Sequence, residues 1–189
     1  MKFFAVLATA IAAAGALAAP APPHPTDLVW PSGTFRYWVK TGHVVADPQD
    51  QLLVVKDGNQ DHETTTIVSF DAQPDLAGRT CRLIFDLWDR DVSTGTQQVD
   101  VFSYVDPPVY TFNAANVADV RPASYRDKHK GRLRLPKPGR GEWLVAYDGY
   151  PEFPCPQNTV AVEFVGVGDR VEVRWDIGVT GPRLEVVEE

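Results

Sequence analysis

Cysteine is scarce in this 189-residue chain: there are two, Cys81 and Cys155. The chain is therefore limited to one intrachain disulfide. Long apolar runs are missing beyond residue 17, and nothing later approaches the roughly 20 residues of a membrane-spanning helix, so no membrane partner is expected. None of Asn59, Asn113, Asn116 and Asn158 opens an Asn-x-Ser/Thr triplet, which removes N-glycosylation. A Gly-x-Ser-x-Gly elbow is absent, and two cysteines joined to each other leave no thiolate, so nucleophilic catalysis has no obvious agent. The four histidines, His24, His43, His62 and His129, fit no zinc motif. Gly139-Arg140-Gly141 lacks the Lys-Ser/Thr and the helix of a phosphate loop. Asp57-Gly58-Asn59-Gln60-Asp61 imitates the start of a calcium loop, but His62 stands where Gly is required and Val68 where a bidentate Glu is required. Basic residues are outnumbered, 18 against 25 acidic, for a formal net charge of -7, which argues against a nucleic-acid partner. No catalytic residue, cofactor or metal ligand is therefore expected.

What is present begins with a processing signal. Lys2, the Ala-rich apolar run Phe3 to Leu17 and the small-x-small Ala16-Leu17-Ala18 predict a signal peptide over 1–18, cut before Ala19, and hence a secreted, extracellular protein. The terminal Glu185-Val186-Val187-Glu188-Glu189 has no hydrophobic tail, so a lipid anchor is not expected. Residues 19–27 hold four prolines and predict an extended arm, and residues 28–189 are the size of one domain. In an oxidising compartment Cys81 and Cys155 are read as a pair.

Within the domain, alternation of apolar and polar residues predicts strands rather than helices. Cys81, Leu83, Phe85 and Leu87 fall on one face of a central strand, and Val171, Val173, Trp175 and Ile177 alternate against Glu172, Arg174 and Asp176. Further strands are expected at Thr34–Lys40, with Phe35, Tyr37 and Val39 inward, and at Leu52–Lys56, Thr64–Phe70, Val99–Val105 and Thr159–Val165. Gly131–Leu135 and Glu142–Tyr147 flank a Pro138-Gly139 turn as a hairpin, and Arg183–Val187 closes the domain as an edge or terminal strand. Residues 110–124 show no period. No amphipathic helix or internal repeat is visible, so the fold class is all-β: an antiparallel β-sandwich of about nine strands with one disulfide.

The order Phe70-Asp71, Pro74, Ala77-Gly78-Arg79-Thr80-Cys81-Arg82-Leu83-Ile84-Phe85, then Phe153-Pro154-Cys155-Pro156 and a closing Trp175 to Gly181 segment, resembles the fungal ubiquitin-three-binding protein (But-two) C-terminal domain family. The resemblance covers roughly Thr64 to Val187 and implies a secreted β domain without an assigned activity. The family name implies contact with an activating enzyme of a ubiquitin-like protein. That enzyme is cytosolic, and an exported chain would not meet it. The region before Thr64 and the Arg126 to Arg140 loop match the pattern poorly, so roles located there lie outside the resemblance.

Three constellations could still carry function. Asp86, Asp89 and Asp91 cluster after the central strand, and a pair of carboxylates is what a polysaccharide-active enzyme needs, though turn formation uses the same residues. From Arg121 to Arg140, eight basic residues stand against one acid, Asp127; within this stripe Arg126, Lys128, Lys130, Arg132 and Arg134 are the candidate anion-binding residues. The same stripe could pair with the protein's own carboxylates. Trp38 and Trp88 fall opposite the apolar faces of their strands and are the candidate sugar-stacking residues. Together these predict a non-catalytic extracellular or cell-wall-associated interaction domain, whose partner is a polysaccharide or another anionic extracellular polymer. The alternative is an enzyme built on Asp86 to Asp91.

Overall fold

A computed structural model describes residues 28–107 and 125–187. The expected signal peptide, the Pro-rich arm, His24, Arg121 and the period-less 110–124 segment lie outside the described residues.

The strands are β1 (Leu28–Val29), β2 (Gly33–Trp38), β3 (Val44–Ala46), β4 (Val54–Lys56), β5 (Thr64–Phe70), β6 (Thr80–Leu87), β7 (Val92–Gly95) and β8 (Gln98–Tyr104). They continue with β9 (Arg126–Arg134), β10 (Gly139–Arg140), β11 (Glu142–Ala146), β12 (Glu152–Pro154), β13 (Val160–Gly166), β14 (Val171–Arg174) and β15 (Gly181–Val187). One 3-10 turn, Pro74–Leu76, precedes β6. The expected antiparallel all-β fold is present. The fifteen described strands exceed the expected nine because β1, β3, β7, β10 and β12 have only two to four residues each, too few to show a period.

Five strands form one sheet, in the order β1-β15-β6-β10 with β12 also on β6, and ten form the other, β11-β9-β8-β13-β5-β4-β14-β7, with β2 on β5 and β3 on β2. Residues directly opposed across an antiparallel ladder share a face. Cys81, Leu83, Phe85 and Leu87 of β6 and Leu184 and Val186 of β15 therefore point the same way. They are buried against Val68, Phe70, Val99, Val101, Val162, Phe164, Val171, Val173 and Trp175 from the second sheet. Phe85 stands at the centre of this contact. Its ring meets Phe164 and Trp175 edge-on, with centroids 5.2 and 5.1 Å apart. Gly181 makes room for Trp175: its φ is +91°, and a Cβ there would lie 2.3 Å from the indole Cδ1.

Two strand expectations change. Arg183–Val187 is the last of the described strands, as expected, but it is not at an edge, since β15 lies between β1 and β6. Phe35 and Tyr37 do not enter the inter-sheet core. They form a second apolar cluster with Val44, Ile67, Tyr104 and Ala161 on the opposite face of the ten-stranded sheet. Arg36 takes the other side of β2 and is buried there, its Nη1 donating to both oxygens of Asp50 (2.7 and 2.8 Å) and to the Leu52 carbonyl (3.2 Å). Both faces of this part of the sheet are covered, so alternation could mark two faces without telling which was inner. All seven residues of neighbouring β5 are buried.

Cys81 and Cys155 form the disulfide, with both residues buried and Cα atoms 4.8 Å apart. Pairing of Phe153 with Cys81 between β12 and β6 brings Cys155 to the strand end, where its amide donates to the Arg79 carbonyl (2.9 Å). The bridge spans 74 positions. Closing a loop of that length lowers the entropy of the unfolded chain by about 4 kcal/mol in the chain-entropy model. A Cys81→Ala, Cys155→Ala variant is expected to lose about that much stability in denaturant titration. The parent protein, unfolded without reductant, is expected to release no titratable thiol, and two thiols would refute the bridge.

Candidate functional site

The three clustered aspartates do not act as a set. Asp91 is buried in the β6–β7 turn, where its carboxylate accepts the Trp88 amide (2.6 Å) and the Asp176 amide (3.3 Å). Asp86, on the outer face of β6, is gripped by Arg140 (Nε to Oδ1, 3.0 Å) and by Arg183. Both of its carboxylate oxygens are taken up by guanidinium groups of the same molecule. Asp89 is exposed in the turn. Among the described residues, no group of three or more His, Cys, Asp or Glu is placed to hold a metal ion.

Asp86 belongs to a longer chain of charges. On the outer face of the five-stranded sheet, Glu152, Arg82, Glu185, Arg140, Asp86 and Arg183 follow one another as ion pairs. Alternation dictates this, because Arg82 and Asp86 of β6 and Arg183 and Glu185 of β15 are the positions that leave Leu83, Phe85 and Leu184 inward. Burial opposes the charge on Arg140, but Asp86 and Glu185 outweigh it and its pKa is raised.

The basic stripe is largely paired within the protein. Arg132 and Arg134 share an outer face, as the alternation with Leu133 and Leu135 requires. Arg132 reaches Asp100 (2.7 and 3.1 Å), Arg134 reaches Glu142, and Lys130 reaches Asp148 (3.3 Å). Arg126 makes a two-point contact with Glu163 (2.9 and 2.7 Å), whose side chain is 3% exposed and also accepts from Thr65 Oγ1 (2.6 Å). Hydrogen bonds to these carboxylates raise the pKa of Arg126 and of Arg132. Lys128 is exposed on the same strand. A β-bulge around Gly131, whose φ is +138°, turns Lys130 out of the alternation. His129 packs against the rings of Phe102 (4.8 Å) and Tyr147 (5.5 Å), and Arg126 lies over the Phe102 ring (4.9 Å). Tyr147, at the end of this row, is 48% exposed.

The indoles are different. Trp38 lines a cleft of about 370 Å³ with Lys40, Thr41, His43 and Asp61, formed by the β2–β3 turn and the 57–62 loop. Trp88, 50% exposed, stands on the β6–β7 turn. Sequence reasoning missed Trp30, 41% exposed just after the two-residue β1, a strand too short to show a period. Each of the three has an arginine over its ring: Arg36 over Trp38 (5.0 Å), Arg90 over Trp88 (5.0 Å) and Arg183 over Trp30 (4.8 Å). Each arginine is itself held by a carboxylate, Asp50, Asp176 (2.7 Å) and Asp86 respectively.

Two expected outcomes follow from these pairs. Removing Arg126 strands Glu163 as a buried charge, so Arg126→Met is expected to lose about 3 kcal/mol in denaturant titration. An unchanged midpoint would make the pair a surface ornament. The second concerns acid. The Arg36 hydrogen bond holds the Asp50 carboxyl below the usual carboxylate range. A depressed folded-state pKa contributes stability above the unfolded value and loses it as pH falls through the folded value. Asp50→Asn is therefore expected to show a smaller fall in melting temperature than the parent between about pH 5 and about pH 3. An equal fall in both would assign the acid sensitivity elsewhere.

No family model matches the chain, and a search of curated proteins finds no match.

Proposed function

We propose that this chain is a secreted, non-catalytic domain that contacts extracellular or cell-wall polysaccharide. The observation that supports this reading is how its charged and aromatic groups are used. Of the three carboxylates that sequence nominated for acid-base work, Asp86 is engaged by guanidinium groups and Asp91 by backbone amides. Four of the five nominated cations face carboxylates of the same molecule. A paired stripe has lost most of its pull on a polyanion, because an approaching anion must compete with a carboxylate already in contact. Exposed indoles remain, each with an ion-paired arginine behind it. Their ring faces suit the C–H faces of sugar rings, whose hydroxyls also match the many hydrogen-bonding groups nearby.

The resemblance to the fungal But-two C-terminal domain family, whose members are secreted β domains, agrees with this reading. So does the disulfide, which suits an oxidising compartment. The test is co-sedimentation of the disulfide-bonded protein with insoluble β-glucan, chitin and cellulose, set beside a heparin column at low salt. Retention on at least one neutral polysaccharide with weak or no retention on heparin is expected. Strong heparin retention that collapses as salt rises, with no binding to the neutral polymers, would overturn the reading in favour of a polyanion.

A further inference from the structure

Trp30 and Trp88 come from strands that are far apart in sequence and stand on one face. Val29 pairs with Leu184, which places Trp30 level with Arg183, and Arg183 pairs with Ile84 of β6. Leu87 at the end of β6 is buried and inward, so Trp88 emerges on the outer side with Asp86. Four residues of strand separate the two levels, about 13 Å along the strands, and two strand spacings, roughly 10 Å, lie across them. Between the indoles lie Asp86 and Arg183, part of the ion-pair ladder, which Arg140 joins from β10 on the other side of β6.

We propose that this outer face of the five-stranded sheet is a neutral-polysaccharide site, with Trp30 and Trp88 as its two stacking platforms. It deepens the reading given under Proposed function and rests on it. The ladder contains three arginines and three carboxylates, so this outer face taken as a whole carries no net charge to attract a polyion of either sign. It is also poor in apolar surface, since Ile84, the aliphatic residue between Arg82 and Asp86, is buried. A hydroxyl-rich chain meets both conditions. The separation of the indoles exceeds one sugar ring and suits a short run of them. Arg183 links the parts, stacked on Trp30 at 4.8 Å while bonded to Asp86, and Arg90 backs Trp88 in the same way through Asp176. Trp38, in its separate cleft behind the β2–β3 turn, is not part of this face.

The experiment uses the disulfide-bonded protein and the insoluble polymer that retains it, chosen from β-glucan, chitin and cellulose. Binding isotherms are measured for the parent and for Trp30→Ala, Trp88→Ala and Trp38→Ala, with a thermal melt of each. Trp30→Ala and Trp88→Ala are each expected to weaken binding tenfold or more while Trp38→Ala binds as the parent does. Trp88 lies on an exposed turn, so its variant keeps the test readable if Trp30→Ala melts early. Parental affinity in the Trp30→Ala, Trp88→Ala double variant would overturn this site and leave the polysaccharide reading standing. Loss confined to Trp38→Ala would move the site to the other cleft. Failure of the parent to bind any of the three polymers would remove the reading and this site together.

Discussion

The contact of Phe85 with Phe164 and Trp175 is the interaction on which the rest of the structure depends. It joins the middle strand of one sheet to the strands of the other, and it sits where the two sheets have no covalent or hydrogen-bonded ladder in common. Burial of rings of this size contributes about 2 to 3 kcal/mol each, and an edge-on aromatic pair adds about 1 kcal/mol. The backbone of β6 is meanwhile committed to β15 on one side and to β10 and β12 on the other. With the inner positions fixed by packing and both edges fixed by hydrogen bonds, only the outward positions of β6 remain free to vary. Those positions are Thr80, Arg82 and Asp86, together with the buried Ile84, and Trp88 follows in the turn.

That division explains what could be read from the sequence. Strands buried on one face announce themselves by period-two alternation, and β6 and β14 were legible for that reason. The hairpin of β9 and β11 was legible too, because Pro138-Gly139 marks its connection, although β10 within that connection bonds to β6 instead. Where both faces are covered, alternation still marks two faces but does not rank them, so Phe35 and Tyr37 looked like inter-sheet core. Strands of two or three residues exist only through their ladder partners. Their formation depends on non-local register, which no local pattern encodes. The interior position of β15 was hidden for the same reason.

The site residues divide along the same line. The basic stripe is a compositional fact about a short stretch and was plain. Its neutralisation depends on Asp100, Glu142, Asp148 and Glu163, which come from several elements and meet the stripe only through strand pairing. Asp86, Asp89 and Asp91 were close in sequence, yet alternation and the turn send Asp86 to an outer face and Asp91 into the fold. Trp30 had no pattern around it at all. Its position opposite Arg183 follows from the β1–β15 register alone.

The pairing of each exposed indole with an arginine has a physical logic of its own. A guanidinium is planar, so it can bond a carboxylate along its edge while laying its face on a ring, and it keeps its charge at every accessible pH. A lysine ammonium is compact and strongly hydrated and cannot do both with the same geometry. The carboxylate fixes the arginine and the arginine in turn limits the indole, so the ring is already ordered before a ligand arrives. Less side-chain entropy is then lost on binding, at roughly 0.5 to 1.5 kcal/mol for each side chain that no longer has to be immobilised. Of these pairs Arg90–Asp176 is the exposed one and adds little to stability, whereas Arg36 and Arg183 are buried. Together they orient the surface: the same Asp86 that lies close to Asp89 and Asp91 in sequence holds Arg183 in the position that steadies Trp30.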